Sequence, residues 1–212
     1  TFKEFSDNAV AESLVSVVFN SPIFNIYFLF LFPVLTMRLF SEENRSGTIE
    51  GLLTAPVRTW QVVLSKFLAS YTTFLTLWIT AGAHFYLFTA LTDVPPPFTN
   101  GDLVGAFLII ALMGMLFTAY GCLASALTSS QIIAGVVCTF ILIFHMFLGL
   151  IPNFFGEQIP AADFFNFISS PRHLVDFTRG LINTGTIVYY IATAVFFLFL
   201  TFHILDFRRW KP

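Results

Sequence analysis

The side chains able to do chemistry in this sequence gather mainly between Phe40 and Lys66, a polar segment set between two runs hydrophobic enough to cross a bilayer. It carries three acids, Glu42, Glu43 and Glu50, and three cations, Arg45, Arg58 and Lys66. Within it, Ile49, Leu52 and Leu53 recur at i, i+3 and i+4, which predicts one apolar stripe on a short helix over about Thr48–Thr54. Glu50 falls on another face, and Glu42, Glu43 and Arg45 supply charge before that helix starts. Pro56 ends it, because the residue before a proline is pushed out of the helical region, and Thr59 is placed to cap the next span. A helix lying on the membrane would use the same stripe. Three apolar residues are few for that, and the acids would face an anionic lipid surface, so a groove in a soluble protein partner is the better match.

Elsewhere the chemistry is sparse. The apolar runs hold no acid, Asp102 and Asp206 lying just outside them, so an ion-driven transporter is disfavoured and energy must come from elsewhere. His145 and Cys138 share a helix face two turns apart, too far to hold one metal ion without help from another helix, and a hydrogen-bonded structural histidine is expected. His84 and Thr80, one turn apart, are expected at most to form an interhelical pair. No Gly-x-x-x-x-Gly-Lys-Ser/Thr, His-Glu-x-x-His or Gly-x-Ser-x-Gly sequence occurs. The chain therefore has no P-loop of its own, and no metal site or cofactor is expected in it. The absence of any acid–histidine pairing weighs against a lipid-modifying enzyme.

The elements that hold these residues follow from composition. Of 212 residues, 57% are hydrophobic and 10% charged, against roughly 25% charged in soluble domains, and the mean hydropathy is +0.82. A soluble core needs more charge around it than this, so an all-α polytopic membrane bundle is expected, one transmembrane domain over residues 1–212. Five spans are predicted, at about 23–39, 62–91, 103–127, 132–151 and 187–205. Pro33 should kink the first. Thr128–Gln131 is a tight turn that makes the third and fourth spans a hairpin. Gly121-x-x-x-Ser125-x-x-x-Ser129 in the third is a candidate for close helix contact, whereas Gly101-x-x-x-Gly105 is weaker for lying at a helix start. The apolar segment over 152–186, with a helix-start signal at Ser170-Pro171, is expected to form short helices that dip into the outer leaflet or cap the helix ends.

Arg38, Arg45, Arg58 and Lys66 flank the loop after the first span, and Arg208, Arg209 and Lys211 follow the fifth. The positive-inside rule puts both groups in the cytoplasm. The segment before the first span is then outside, and the count expects a further helix upstream, six in all; the alternative is a five-span protein whose N-terminus is translocated.

The run Leu35-Thr36-Met37-Arg38-Leu39-Phe40-Ser41-Glu42-Glu43, followed by Arg45-x-Gly47-Thr48-Ile49-Glu50-x-Leu52-Leu53-Thr54-Ala55-Pro56-Val57, resembles the membrane subunit of ABC-2 type transporters. Within them the likeness is to the branch containing the gliding-motility and nitrous-oxide-reductase maturation permeases. A second stretch, Ser170-Pro171-x-His173-Leu174-x-Asp176-Phe177-x-Arg179-Gly180-Leu181-Ile182, resembles the outer segment before the last helix of such subunits. The resemblance implies a multi-pass permease of the bacterial inner membrane, an exporter in function. It implies a coupling helix at Thr48–Thr54, with Glu42, Glu43, Arg45, Gly47, Thr48, Ile49, Glu50, Leu52 and Leu53 contacting separate P-loop ATPase subunits that hold ATP and Mg. A second permease chain and an outer-side accessory protein are the other implied partners, with membrane lipid around them and no nucleic acid. The competing reading is a scaffold or mechanotransmitter that uses the same kind of ATPase to pull on an outer partner.

Overall fold

The computed structural model describes residues 14–49, 51, 57–91, 99–155 and 162–210. All regular structure among them is helical: α1 (Leu14–Phe19), α2 (Pro22–Thr36), α3 (Ser41–Ser46), α4 (Thr59–Leu91), α5 (Asn100–Leu127), α6 (Gln131–Phe155), α7 (Ala162–Phe167), α8 (Ser170–Thr178) and α9 (Thr184–Trp210). Five stretches among the described residues are long and apolar enough to cross a membrane: Ile23–Ser46, Thr59–Leu87, Asn100–Leu127, Gln131–Pro152 and Thr184–Phe207. Each predicted span finds its counterpart here.

The first helix differs from expectation at both ends. Regular α-helix passes through Pro33 and stops at Thr36 rather than near residue 39, giving way to a turn over 37–40. At its other end Ser21 accepts a hydrogen bond from the Ile23 N–H, Pro22 occupies the first turn, and α1 precedes the break as an extra helical piece. The expected hairpin is present, α5 ending at Leu127 and α6 starting at Gln131.

Helix α5 is the axis of the bundle and packs against each of the other four spans. Residues along almost its whole length are buried, which a membrane helix achieves only by letting neighbours approach on several sides. Small residues permit this, because van der Waals contact rather than hydrophobic expulsion drives association in lipid. A Cβ on Gly105 would sit 2.0 Å from the Phe177 carbonyl oxygen of α8. One on Gly114 would sit 2.0 Å from the Phe74 ring of α4, and one on Gly121 2.0 Å from Thr36 Oγ1 of α2. Three glycines thus seat three different helices. Gly121 behaves as predicted, whereas Ser129, the last member of that motif, is exposed beyond the end of α5; Gly105 is a tighter contact than its place near the helix start suggested.

Phenylalanine fills the remaining space. Phe32 lies 5.0 Å from Phe74 and 5.3 Å from Phe117 between ring centroids, and Phe28 lies 5.6 Å from Phe32, in tilted and edge-on arrangements that suit the aromatic quadrupole. Large apolar side chains such as Ile79, Ile132, Phe140, Phe144 and Phe196 point outward, as expected where the solvent is lipid.

Candidate functional site

The polar segment begins in the structure with a helical turn that sequence reading placed in the lead-in. Glu42, Glu43 and Arg45 belong to α3 itself, acids in its first turn and Arg45 in its last, the arrangement the helix dipole favours. Gly47 then takes a left-handed conformation, φ 71°, which ends α3 and redirects the chain. Helical geometry resumes at Thr48 and Ile49 and holds at Gly51. The single predicted helix is therefore preceded by a second, separate one. Glu50, Leu52, Leu53, Thr54 and Pro56 lie outside the described residues.

What fixes α3 is a side chain of the central helix. Ser125 Oγ accepts hydrogen bonds from the backbone N–H of Phe40 (2.9 Å) and of Ser41 (3.0 Å), and donates to the Met37 carbonyl (3.1 Å). N–H groups at the start of a helix have no partner within it, so the hydroxyl of α5 serves as an external cap. Ser41 Oγ donates back to the Met37 carbonyl, Asn44 Nδ2 donates to the Thr128 carbonyl (3.2 Å), and Phe40 is fully buried. Lys66 near the start of α4 pairs with Glu43 and lies 5.9 Å from the Phe40 ring centroid, within cation–π range. Ile49, predicted to face a partner, is buried in this chain's own core. Glu42, Arg45, Gly47 and Thr48 are left exposed.

Thr59 does not cap α4. It is the first residue of that helix and donates to Asp206 Oδ1 of α9 (3.2 Å), and Gln61 Oε1 takes the Arg58 N–H instead (3.0 Å). The polar segment is thereby joined to α5 through Ser125 and Thr128, to α4 through Lys66, and α4 in turn to α9 through Asp206. Sequence reading found the loop but not these anchors. The one available signal was the polar Gly121-x-x-x-Ser125 pair in an otherwise apolar helix.

A second polar cluster is buried farther from the loop. Tyr190 of α9 donates to Ser170 Oγ of α8 (3.0 Å), and Ser170 lies 2.8 Å from His145 Nε2 of α6. His145 Nδ1 lies 3.2 Å from the Tyr120 hydroxyl of α5, and His173 Nδ1 lies 3.3 Å from the Tyr190 hydroxyl. With the Tyr190 proton directed at Ser170, the serine proton is left for His145 Nε2, and the His145 proton then occupies Nδ1, facing Tyr120. His145 is the hydrogen-bonded structural residue expected. Cys138 lies apart from it, 3.9 Å from Thr36 Oγ1. No group of three or more His, Cys, Asp or Glu able to hold a metal occurs among the described residues. The cluster wedges α8 between α5, α6 and α9, and Gly149 of α6 makes room for it, a Cβ there falling 2.8 Å from Ser169 Cα. In α8, burial pushes the His173 imidazole down to a pKa of about 4, Arg172 adding to the effect and Asp176 opposing it. His84 bonds the Thr80 carbonyl of its own helix (3.1 Å), not a neighbouring helix.

An all-helical bundle with five membrane-crossing stretches, and a polar segment hydrogen-bonded to the end of its central helix, defines a polytopic membrane protein that exposes a structured loop. The family described as ABC-2 family transporter protein matches residues 1–205, and the chain belongs to that family. Comparison with curated proteins and with solved structures gave no match.

Proposed function

We propose that the chain is the permease subunit of an ATP-driven exporter in the bacterial inner membrane, moved by a separate P-loop ATPase that docks on the 40–61 loop from the cytoplasm. The observation that carries this reading is the convergence of α3 on Ser125. A loop that only connected two spans would need no hydroxyl of a buried helix to cap it, whereas one that receives force must be joined to what it moves. ATP and Mg are held by the partner, and this chain performs no chemical step. Docking uses the exposed Glu42, Arg45, Gly47 and Thr48, together with Glu50, Leu52 and Leu53 farther along; Glu43 is turned to Lys66. The motif from Leu35 to Val57 supports a place near the gliding-motility and nitrous-oxide-reductase maturation branch.

Movement of the loop pulls on α5, not only on α2 and α4, the two spans that flank it. A second permease chain meets this one along α2 and α6, whose outward faces carry Tyr27, Phe30, Val34, Phe140, Phe144 and Phe147. The exported molecule passes along that seam.

The test is to purify the chain with its ATPase and to replace Leu52 or Leu53 by Asp. Transport into or out of vesicles should fall while ATP hydrolysis persists and the membrane part stays folded. Variants that bind the ATPase and transport normally would refute the docking assignment.

A further inference from the structure

Helices α4 and α9 are pinned at the loop end by the Thr59–Asp206 hydrogen bond. The gap between them is a membrane-facing groove of about 410 Å³, lined by Trp60, Val63 and Leu64 from α4 and by Val195, Phe199 and Phe202 among others from α9. All of these residues fall inside the two spans, from the loop-side end of each to the middle of the α9 span at Val195. Val195 is eleven residues from Asp206, so the groove reaches about 16 Å down from the pin at 1.5 Å per residue. Its upper rim changes character. Trp60 is 47% exposed there, an indole at the depth where tryptophan favours the headgroup boundary. Arg58 is exposed one residue outside the α4 span, and the sequence places Arg208 and Arg209 just beyond the end of the α9 span. Asp206 opposes them with one negative charge and already accepts the Thr59 hydroxyl.

We propose that this groove is a binding site for an anionic phospholipid of the loop-side leaflet, one acyl chain lying against Val63, Leu64 and Phe199 and the phosphate held at the rim by Arg58. The other grooves along the bundle are also apolar, but the basic rim is what selects the occupant here: a zwitterionic lipid satisfies the lining, yet its own headgroup cation competes with Arg58 for its phosphate, whereas an anionic lipid brings net negative charge. The site stands on the fold and the membrane placement of α4 and α9 and is independent of the ATPase reading. Its consequence is local: a lipid seated there braces α4 against α9 along the turns of α4 that carry Thr59 and Lys66.

Trp60 is a built-in reporter. The full chain with Trp78→Phe and Trp210→Phe is reconstituted in phosphatidylcholine vesicles doped with brominated phosphatidylglycerol or brominated phosphatidylcholine, and tryptophan quenching is followed against mole fraction. Half-quenching should come at about a fivefold lower fraction of the anionic lipid, the preference expected of one basic side chain near the surface. Arg58→Gln should abolish the preference, and Arg38→Gln, exposed at the end of α2, should leave it intact. Equal quenching by both lipids would overturn the proposal, showing acyl contact without headgroup selection. Quenching by neither would overturn it too, showing that protein covers the groove. Should the double tryptophan variant not fold, phosphatidylglycerol retained through detergent extraction is measured by mass spectrometry, and equal retention by the unaltered chain and Arg58→Gln would be equally fatal.

Discussion

Replacing Ser125 by alanine isolates the link between the polar segment and the bundle. The hydroxyl is fully buried, accepts from two backbone N–H groups and donates to one carbonyl, so its loss orphans two donors at the start of α3. A buried unsatisfied group costs about 1–3 kcal/mol. Side-chain hydrogen bonds within membrane bundles average nearer 0.6 kcal/mol, with about 1.7 as the upper bound measured. Two lost acceptances therefore place the cost near 2 kcal/mol, about 30-fold in the equilibrium between docked and detached α3. The expense is local, since α5 keeps its packing against α2, α4, α6 and α9. Hydrogen exchange of the reconstituted chain reads it directly: amides over 37–46 should exchange about 30-fold faster while those of α5 stay protected. Ser129→Ala, an exposed serine one turn farther along, is the control and should change nothing. In the complex with the ATPase, Ser125→Ala should also loosen coupling, giving more ATP hydrolysed per molecule moved. Unchanged exchange over 37–46, or equal acceleration in Ser129→Ala, would refute the claim that this hydroxyl holds the loop.

Other expectations concern packing and the second polar cluster. Gly105→Ala should lower the thermal transition by the equivalent of about 1–3 kcal/mol, because its methyl would meet a backbone oxygen that no rotamer change can move. Gly101→Ala, whose nearest contact would be 3.6 Å away, should stay close to the unaltered chain. Tyr190→Phe removes both the proton given to Ser170 and the oxygen facing His173, and should cost about 1–3 kcal/mol, seen as protease cleavage around α8 before the bundle unfolds. His173 has its pKa lowered by burial from 6.5 to about 4, so above pH 6.5 it is neutral whether α8 is docked or not and the docking is at full strength. As pH falls from about 6.5 toward 4 the undocked form takes up a proton first, and docking should weaken across that window. His173→Asn should flatten this dependence as measured by exchange at α8, and an equally steep profile in that variant would assign the effect to another group.

The sequence was legible where one helix sufficed to make the argument. Five apolar runs, the hairpin at Thr128–Gln131 and the helix start at Ser170-Pro171 each depend on local composition and chain stiffness, and each is present. The loop was found by its charge, but its internal structure was not. Gly47 gave no periodic signal, yet its left-handed backbone divides the segment into two helical pieces. Ile49 sat on an apolar stripe whose direction periodicity cannot supply; the bundle claims it. The anchors escaped for a stronger reason. Ser125 is 85 residues from Phe40 in sequence and Thr59 is 147 from Asp206, so pairing them requires knowing which helices are neighbours. The histidines are the same case: isolated along the chain, His145 and His173 are joined through Ser170 and Tyr190 only once α8 is inserted between α6 and α9.

These anchors bear on which helix can carry motion across the membrane. A span that faces lipid on most of its surface, as α9 does, can shift freely on that side, where lipid flows to fill the space, and is tied to α4 and α8 by hydrogen bonds through Asp206 and Tyr190. Helix α5 cannot. Gly105, Gly114 and Gly121 hold α8, α4 and α2 at distances that leave no room for even a methyl group, and close-packed contacts of that kind move together or break. Ser125 ties the loop to one end of this helix, and Tyr120, closer to its middle, meets the hydrogen-bonded chain that seats α8. Force applied to α3 therefore has a continuous route of hydrogen bonds and steric contact to α8, and that route lies along α5 rather than along either of the helices that flank the loop in sequence.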